Sequence, residues 1–384
     1  MEVRRDTRNH THRSDARSNR APAPVRFLDA VEAYEPTSSL EKIWSKPGQE
    51  PLKLDWNEST VPPSPKVYEA IVRFLSFSNH LNWYPELRSH SVCDAIGEYV
   101  RLPGDNVMVT NGSDDALELI CKTYLGPRDN VLIPMPTYTH FFVYVKARGA
   151  EIVPFYASDP LDADPAALKR ALRASKPRLA YLVSPNNPTG VTYDADLMED
   201  LLSEFPETLF IVDEAYHEFY GRSVVGMVNE HPNLVVTRTF SKCFGIAGLR
   251  IGYLCAGEGV MAQLKKLYNP KSVNRLAQVA AVAALSDLDY YRAFAEEVRQ
   301  AKQILKDEMG MRGIDIKLTP ANFVLMKVPD PSRFCALLEE EGVYVRDRSN
   351  LPKLEGYVRI SIPNVAQTRD LISRMDRVLA VMKD

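Results

Sequence analysis

The strongest constraint on the fold is an alternation of short apolar runs with amphipathic stretches between residues 107 and 255. Most of the runs are β-branched or apolar throughout, which is typical of strands covered on both faces of a sheet. Three amphipathic stretches, at residues 116–124, 165–174 and 195–205, have apolar residues at helical spacing. This order predicts an α/β domain with a large, doubly wound, mostly parallel sheet. The seven predicted strands are residues 107–110, 131–134, 152–155, 179–183, 209–212, 234–237 and 251–255.

After residue 257 the pattern changes to longer helices with a few short strands, which predicts a smaller α+β domain. Helices are predicted at residues 260–268, 273–285, 290–309 and 332–341 and from residue 365 onward. Strands are predicted at residues 323–328, 343–346 and 357–362. The expected parts are a disordered basic tail (1–25), an N-terminal segment packing with the small domain (26–60), a large domain (61–286) and a small domain (287–384).

Composition excludes several classes of protein. The chain has 47 basic and 50 acidic residues, a net charge of −3, which argues against a dedicated nucleic-acid binder. No apolar run approaches the roughly 20 residues of a membrane helix. The five cysteines are scattered and contain no C-x-x-C pair, which favours reduced thiols in the cytoplasm over disulfides or zinc. The arginine-rich tail lacks the apolar stretch of a secretory signal, and its acids argue against a transit peptide.

Familiar catalytic and binding motifs are incomplete. No Gly-Lys dipeptide occurs, so a P-loop is excluded, and Gly257 and Gly259 lack the third glycine of a dinucleotide fingerprint. His217 and Glu218 begin a zinc-protease pattern whose second histidine is replaced by Gly221. No serine lies in a G-x-S-x-G sequence. We therefore expect no metal site and no α/β-hydrolase chemistry.

Four polar segments follow predicted strands, where ligands bind in parallel sheets. Residues 111–115 join a strand to a helix, and the helix N-terminus would accept a phosphate or simply be capped by Ser113 or Asp114. Asp213 follows an apolar strand, where a buried acid needs a cationic partner unless it caps a helix. Lys242 is either a surface lysine or an amine that forms a Schiff base. The segments are residues 111–115, 184–190, 213–216 and 239–250.

Together these segments resemble the pyridoxal-phosphate-dependent aminotransferases of fold type I, over nearly all of residues 27 to 384. The resemblance implies that Lys242 holds pyridoxal 5′-phosphate and moves the substrate α-proton, and that Asp213 pairs with the pyridinium nitrogen. It makes Asn187 and Tyr216 donors to the phenolic oxygen of the ring, and it makes Tyr138 the residue that stacks on the ring. The implied phosphate cup consists of Ser113, Asp114, Thr239, Ser241 and Arg250.

Within that superfamily the sequence is most similar to histidinol-phosphate aminotransferases, which act in amino-acid biosynthesis. The matching segments are residues 53–58, 63–65, 83–85, 112–115, 345–347 and 357–361. By that resemblance Tyr84 reaches the coenzyme phosphate of a neighbouring subunit, which implies a homodimer. Substrates would be an amino donor and a 2-oxo acid acceptor. The implied substrate-binding residues are Tyr34, Asn57, Arg346 and Arg359, the arginines facing the anionic end of the substrate.

Two departures from that pattern leave the substrate open. Residues 33–37 keep Tyr34 but lack the glycine and lysine usual near the substrate phosphate, and Glu35 would repel a phosphate if it pointed inward. Val61 and Pro62 replace an aromatic-glycine pair. The alternatives are a paralogue acting on another amino compound and a decarboxylase of phospho-amino acids with the same fold. A regulator with a DNA-binding module is disfavoured, because the tail is too short and too polar to form one.

Overall fold

The computed structural model describes residues 23–31, 43, 50–78 and 80–383. Tyr34 and most of the predicted basic tail lie outside the described residues. Within them, no helix is both long enough and apolar enough to cross a membrane.

A seven-stranded sheet forms the centre of the larger part of the molecule, with strand order β2-β8-β7-β6-β5-β3-β4. Neighbouring strands pair in parallel except at β8, which runs antiparallel to both β2 and β7. The link from β7 to β8 is short and contains no long helix, whereas a parallel pair needs a long crossover. The strands are β2 (Val107–Thr110), β3 (Asn130–Pro134), β4 (Glu151–Phe155), β5 (Leu179–Val183), β6 (Leu209–Asp213), β7 (Leu234–Thr239) and β8 (Gly252–Ala256).

Helices cover both faces of this sheet. Successive residues of β5 pack on opposite faces of the sheet. Tyr181 belongs to the apolar cluster on one face, whereas Ala180 and Leu182 belong to the cluster on the other face. This is the burial pattern of a doubly wound sheet, and it explains the continuous apolar runs. The helices are α1 (Pro65–Arg73), α2 (His90–Val100), α3 (Ser113–Tyr124), α4 (Phe141–Lys146), α5 (Pro165–Ser175), α6 (Ala195–Glu204), α7 (His217–Tyr220), α8 (Glu258–Leu264), α9 (Arg275–Leu285), α10 (Leu288–Met311), α11 (Pro331–Glu340) and α12 (Val365–Lys383).

Short polar side chains fix where several of these helices begin. In each case the side chain accepts a hydrogen bond from an otherwise unpaired amide of the first turn. Proline at the first or second position reinforces the start of three helices, because its missing N–H costs nothing there. The capping residues are Ser64 for α1, Asp164 for α5, Asp194 for α6, Asn274 for α9 and Asp330 for α11.

The second sheet is antiparallel, with strand order β12-β13-β10-β9, and α11 and α12 pack together beside it. A separate parallel pair joins β1, near the N-terminus, to β11. The single strand expected at residues 343–346 is therefore wrong: it is two strands, because its two halves pair with different partners. The strands are β1 (Leu52–Lys53), β9 (Ile316–Leu318), β10 (Phe323–Lys327), β11 (Val343–Tyr344), β12 (Arg346–Asp347) and β13 (Tyr357–Ser361).

A buried ion pair lies beside the carboxyl ends of β6 and β7. Arg238 donates from Nε to Glu214 Oε2 at 2.9 Å, and both side chains are only 3% exposed. Ser223 Oγ and the amide of Val224 also donate to the Glu214 carboxylate. These donors offset the cost of desolvating a carboxylate at this edge of the sheet.

Replacing Arg238 by Met should lower the free energy of unfolding by about 3–5 kcal/mol, because the Glu214 charge would stay buried without a cation. Urea unfolding monitored by circular dichroism measures this loss. The matched control is Arg292→Met, whose ion pair with Asp289 has 72% and 93% exposed side chains, and which should cost under about 1 kcal/mol. Equal losses in the two variants would contradict the role of the buried pair.

Candidate functional site

An anion-binding cup forms where α3 begins. The amides of its first turn have no side-chain cap, because the N-cap residue is Gly112, so they are available to an anion. Arg250 places its guanidinium beside this turn, with Nη1 3.5 Å from Ser241 Oγ. Thr239 Oγ1 lies 3.0 Å from Ser241 Oγ and accepts from the Ser241 amide at 3.1 Å. The helix terminus, the guanidinium and the hydroxyls together suit a phosphate.

Two glycines make this close approach sterically feasible. Gly112 has φ +83°, and a Cβ there would lie 2.7 Å from Arg250 Nη2. A Cβ on Gly252, at the start of β8, would lie 2.5 Å from the amide nitrogen of Ser113. Both contacts are shorter than side chains tolerate, so glycine at these positions lets β8 and Arg250 approach the start of α3.

Asp114 connects the cup to an aromatic ring. Its Oδ1 accepts from the Tyr138 hydroxyl at 2.8 Å, and its Oδ2 lies 3.3 Å from Arg250 Nη2. Burial and the nearby Asp114 charge raise the pKa of Tyr138, so this hydroxyl stays protonated. Tyr138 lies in the loop after β3, and this hydrogen bond holds its ring beside the first turn of α3, next to the cup.

Asp213 is the last residue of β6 and is 4% exposed. Its Oδ2 accepts from the Tyr181 hydroxyl at 2.8 Å, whereas Oδ1 has no partner with hydrogen-bond geometry among the described residues. Burial, reinforced by the charge of Asp114, raises the pKa of Asp213 to about 6. The structure therefore presents a desolvated carboxylate with one oxygen available for a cationic N–H donor.

Lys242 lies in the loop after β7 and donates from Nζ to the carbonyl oxygen of Trp56 at 2.9 Å. Burial lowers the pKa of Lys242 to about 8, and the positive charge of Arg359 acts in the same direction, against the opposing charge of Glu58. Near neutral pH a usable fraction of this amine is unprotonated. Such an amine can form a Schiff base and accept a proton.

Tyr216 receives its hydrogen bond from the N-terminal segment. Asn57 Nδ2 donates to the Tyr216 hydroxyl at 2.9 Å, and Ser361 Oγ donates to Asn57 Oδ1 at 2.8 Å. Phe323 contacts the tyrosine ring edge to face, with 5.4 Å between ring centroids. Burial raises the pKa of Tyr216, which keeps its hydroxyl protonated.

Arginines of the second sheet face the same region. Arg359 is 3% exposed, donates to Asn187 Oδ1 at 2.5 Å and also donates to the carbonyl oxygen of Asp55. Arg346 pairs directly with Arg359 in the β12–β13 register, so both side chains share one face of the sheet. Arg346 Nη1 is buried and has no hydrogen-bond partner among the described residues. The charge of Arg348, two residues further on, also acts on Tyr216.

The hydrogen bonds described above, together with electrostatic interactions among these groups, place them in one region of the structure. The charge of Asp114 acts on both Asp213 and Lys242, and the charge of Arg359 acts on both Lys242 and Tyr216. Within the described chain the structure thus brings together thirteen of the residues predicted from the sequence, and the predicted roles of these residues stay predictions. They are Asn57, Ser113, Asp114, Tyr138, Asn187, Asp213, Tyr216, Thr239, Ser241, Lys242, Arg250, Arg346 and Arg359.

Tyr84 is not part of this cluster. It is 79% exposed, and Lys271 Nζ lies 4.6 Å from the centroid of its ring. Sequence reasoning missed three residues that contact or influence the site: Tyr181, Ser361 and Arg348. Arg348 lies two residues beyond Arg346, where the predicted strand ended, so the strand pattern gave no signal for it. Tyr181 and Ser361 carry no local signal, because their partners are distant in the sequence.

The chain matches the family model described as aminotransferase class I and II over residues 49–375. The chain belongs to this aminotransferase family. A dihydroxyacetone phosphate transaminase of Campylobacter jejuni is 39% identical over 338 residues, which cover 86% of this chain and 91% of that protein. A histidinol-phosphate aminotransferase of Thermoanaerobacter pseudethanolicus is 31% identical, covering 85% of this chain and 93% of that protein.

Among solved structures, histidinol-phosphate aminotransferase from Sinorhizobium meliloti, in complex with pyridoxal-5′-phosphate, superposes with a TM-score of 0.85. It is 23% identical, and the match covers 95% of this aminotransferase and 99% of that chain. The likeness confirms the predicted α/β fold, with its large doubly wound, mostly parallel sheet and smaller α+β unit.

Replacing Asp213 by Asn should stabilise the ligand-free aminotransferase at pH 8 by about 1–3 kcal/mol, because it removes a buried charge. Folding raises the pKa of Asp213 from 3.8 to about 6, so the wild type loses stability as pH rises through this range. The gain should therefore grow between pH 4 and pH 6 and stay constant above. Urea unfolding at several pH values measures it.

The control for this experiment is Asp289→Asn, which removes a carboxylate whose side chain is 93% exposed. A stability difference between wild type and Asp213→Asn that does not change with pH would show that the Asp213 carboxylate is not the destabilising group.

Proposed function

We propose that this aminotransferase uses pyridoxal 5′-phosphate to transfer an amino group to or from a small phosphate-bearing compound, with an amino acid or a 2-oxo acid as the other substrate. Dihydroxyacetone phosphate is the leading candidate acceptor, and histidinol phosphate is the second candidate substrate. The observation that carries the proposal is the convergence of Lys242, the half-partnered Asp213 carboxylate and the anion cup. We place the enzyme in a reducing compartment, the cytoplasm, where its five cysteines stay as thiols.

The residues fit the cofactor at two points. The uncapped start of α3, Arg250, Ser241 and Thr239 would hold its phosphate. Asp213 Oδ1, which is buried without a partner among the described residues, would accept from the protonated ring nitrogen. When bound, the cofactor supplies an electron sink for negative charge at the substrate α-carbon.

The residues around the cofactor hold and move protons. Asp213 has a pKa of about 6 and is ionised at pH 7 and above, so it can favour a protonated ring nitrogen. Lys242, with a pKa of about 8, can accept a proton from the substrate α-carbon and return it. Tyr138 presents its ring beside Asp114, where it can stack on the bound ring. Asn187 and Tyr216 would hydrogen-bond the phenolic oxygen.

The substrate proposal depends on the arginine pair. Arg359 is oriented by Asn187 and the Asp55 carbonyl, and Arg346 lies beside it with a buried, unpartnered Nη1 among the described residues. Two guanidinium groups on one face can bind a phosphate through several parallel hydrogen bonds. The named substrates of the relatives with 39% and 31% identity both carry a phosphate. The higher identity of the first relative favours dihydroxyacetone phosphate over histidinol phosphate.

We further propose a homodimer in which Tyr84 contributes to the partner's site. Exposed apolar side chains are frequent in the sequence around this residue: Phe77 is 85% exposed, Leu81 55%, Trp83 64% and Leu87 54%. So many large exposed apolar side chains within one short segment favour a protein interface. The aromatic composition of this segment also matches the cores of such interfaces.

The reconstituted enzyme should aminate dihydroxyacetone phosphate with glutamate as donor, and the amino product can be followed by mass spectrometry. Lys242→Ala should reduce the rate by at least about a thousandfold, because the amine that attacks and transfers protons is lost. Arg346→Gln should raise the KM for the phosphorylated substrate by about tenfold or more, because one guanidinium contact disappears.

The same assay includes histidinol phosphate, aromatic amino acids and a phosphorylated amino acid. Preferred turnover of histidinol phosphate would favour the second candidate. Turnover of an aromatic amino acid with 2-oxoglutarate, with no turnover of dihydroxyacetone phosphate or histidinol phosphate, would contradict a phosphate-bearing substrate. Release of carbon dioxide from the phosphorylated amino acid, without a keto product, would replace transamination by decarboxylation.

Replacing Phe77 by Glu should convert the dimer to a monomer and abolish turnover, because a charge would be buried in the interface and Tyr84 of the partner would be withdrawn. Sedimentation velocity measures the first effect. Val381→Glu, at a 49% exposed apolar position on α12, is the control. A wild-type protein that sediments as a monomer while active would contradict the shared site.

A further inference from the structure

Ser361 forms two hydrogen bonds with a single residue of the N-terminal segment. Its Oγ accepts from the Asn57 amide nitrogen at 3.0 Å and donates to Asn57 Oδ1 at 2.8 Å. Both residues are buried, with 0% and 1% exposure. A serine hydroxyl has one proton, and since Oγ already accepts from the backbone, that proton is available for Oδ1.

This arrangement decides which end of the Asn57 side chain faces Tyr216. With Oδ1 held by Ser361, the amino group Nδ2 points to the Tyr216 hydroxyl at 2.9 Å. An amino group can only donate, so the Tyr216 oxygen must accept from it. The single Tyr216 proton is therefore left for an acceptor in the site. If the amide turned over, Oδ1 would face Tyr216 and take this proton instead.

The backbone of Asn57 is held independently of its side chain. Asn322 Nδ2 donates to the Asn57 carbonyl oxygen at 3.1 Å. Asn57 has φ +57°, a left-handed conformation that asparagine tolerates better than most residues. Ser361 therefore holds the backbone amide of Asn57 as well as its side-chain amide, whereas Asn322 still holds the Asn57 carbonyl oxygen when Ser361 is replaced.

We infer that Ser361 is a positioning residue that keeps the Tyr216 proton directed at the phenolic oxygen of the cofactor. The inference depends on the proposed function, because it needs the bound cofactor. Ser361 touches neither the cofactor nor the substrate in this scheme and acts through Asn57. The charged groups acting on Tyr216, namely Arg359, Asp213 and Arg348, are unchanged when Ser361 is replaced.

The test is a pH titration of the visible absorption band of the holoenzyme. A hydrogen bond from Tyr216 favours the ionised phenolic oxygen and so lowers the apparent pKa of the bound cofactor. Ser361→Ala should raise that apparent pKa by about one unit, because the Asn57 amide loses its preferred orientation. Ser361→Thr, which keeps the hydroxyl, should restore the wild-type value.

The matched control is Ser64→Ala. Ser64 is also fully buried and caps α1, but it lies outside the site. Thermal unfolding should show a loss of stability in both alanine variants, whereas only Ser361→Ala should shift the cofactor pKa. If Ser361→Ala does not fold, Ser361→Cys, a weaker donor, should give a smaller shift of the same sign.

The outcomes separate the inference from the proposed function. A wild-type holoenzyme whose visible band titrates with pH, together with an unchanged pKa in Ser361→Ala, would overturn the positioning role alone. Wild-type protein that shows no visible cofactor band after incubation with pyridoxal 5′-phosphate would overturn the proposed function and this inference with it.

Discussion

The site depends on the burial of one charged group, the carboxylate of Asp213. It lies at the end of a strand covered on both faces, where an acid is costly unless it is compensated. The next residue, Glu214, has the usual compensation for a buried carboxylate: it is paired with Arg238 and accepts hydrogen bonds from Ser223 and Val224. Asp213 instead has Tyr181 on one oxygen and no hydrogen-bond partner on the other within the described chain. The fold thus neutralises the charge of Glu214 with Arg238, whereas the charge of Asp213 remains available to a cationic ligand.

The site is divided between two parts of the fold. The cup, Asp213 and Lys242 all lie at the ends of strands at one edge of the large sheet, so backbone pairing fixes their spacing. Asn57 and the arginines come from the N-terminal segment and the antiparallel sheet. The groups expected to hold the cofactor therefore lie on one unit, and those expected to choose the substrate lie on another. Such a division allows the substrate preference to change while the cofactor chemistry is kept.

Sequence periodicity predicted the large sheet well because most of its strands are buried on both faces. Residues 179–183 were predicted as a strand and form β5 with those bounds, since every position there is apolar. Residues 343–346 were predicted as one strand, but they pair with two different sheets, and local pattern contains no information about distant partners. The antiparallel direction of β8 could not be predicted for a similar reason, because an apolar run gives no information about strand direction.

The candidate residues were predictable where chemistry follows a strand end, as with Asp213 and Lys242. Tyr181 and Ser361 were not predictable, because in the sequence each is an ordinary strand residue. Each contributes to the site only through a hydrogen bond to a residue distant in sequence, Asp213 and Asn57 respectively. Tyr84 is exposed in the single chain, and Tyr34 lies outside the described residues, so their expected roles stay predictions.

The hydrogen bond between Asn57 and Ser361 joins residues 304 positions apart. Closing so long a loop is entropically expensive, and the gain comes only when both ends are present and folded. During synthesis the large sheet, Asp213 and Lys242 emerge from the ribosome well before Ser361 does. In a nascent chain the large sheet, with Asp213 and Lys242, can therefore fold first. The hydrogen bonds from Ser361 to Asn57, and through it to Tyr216, form only when β13 joins its sheet.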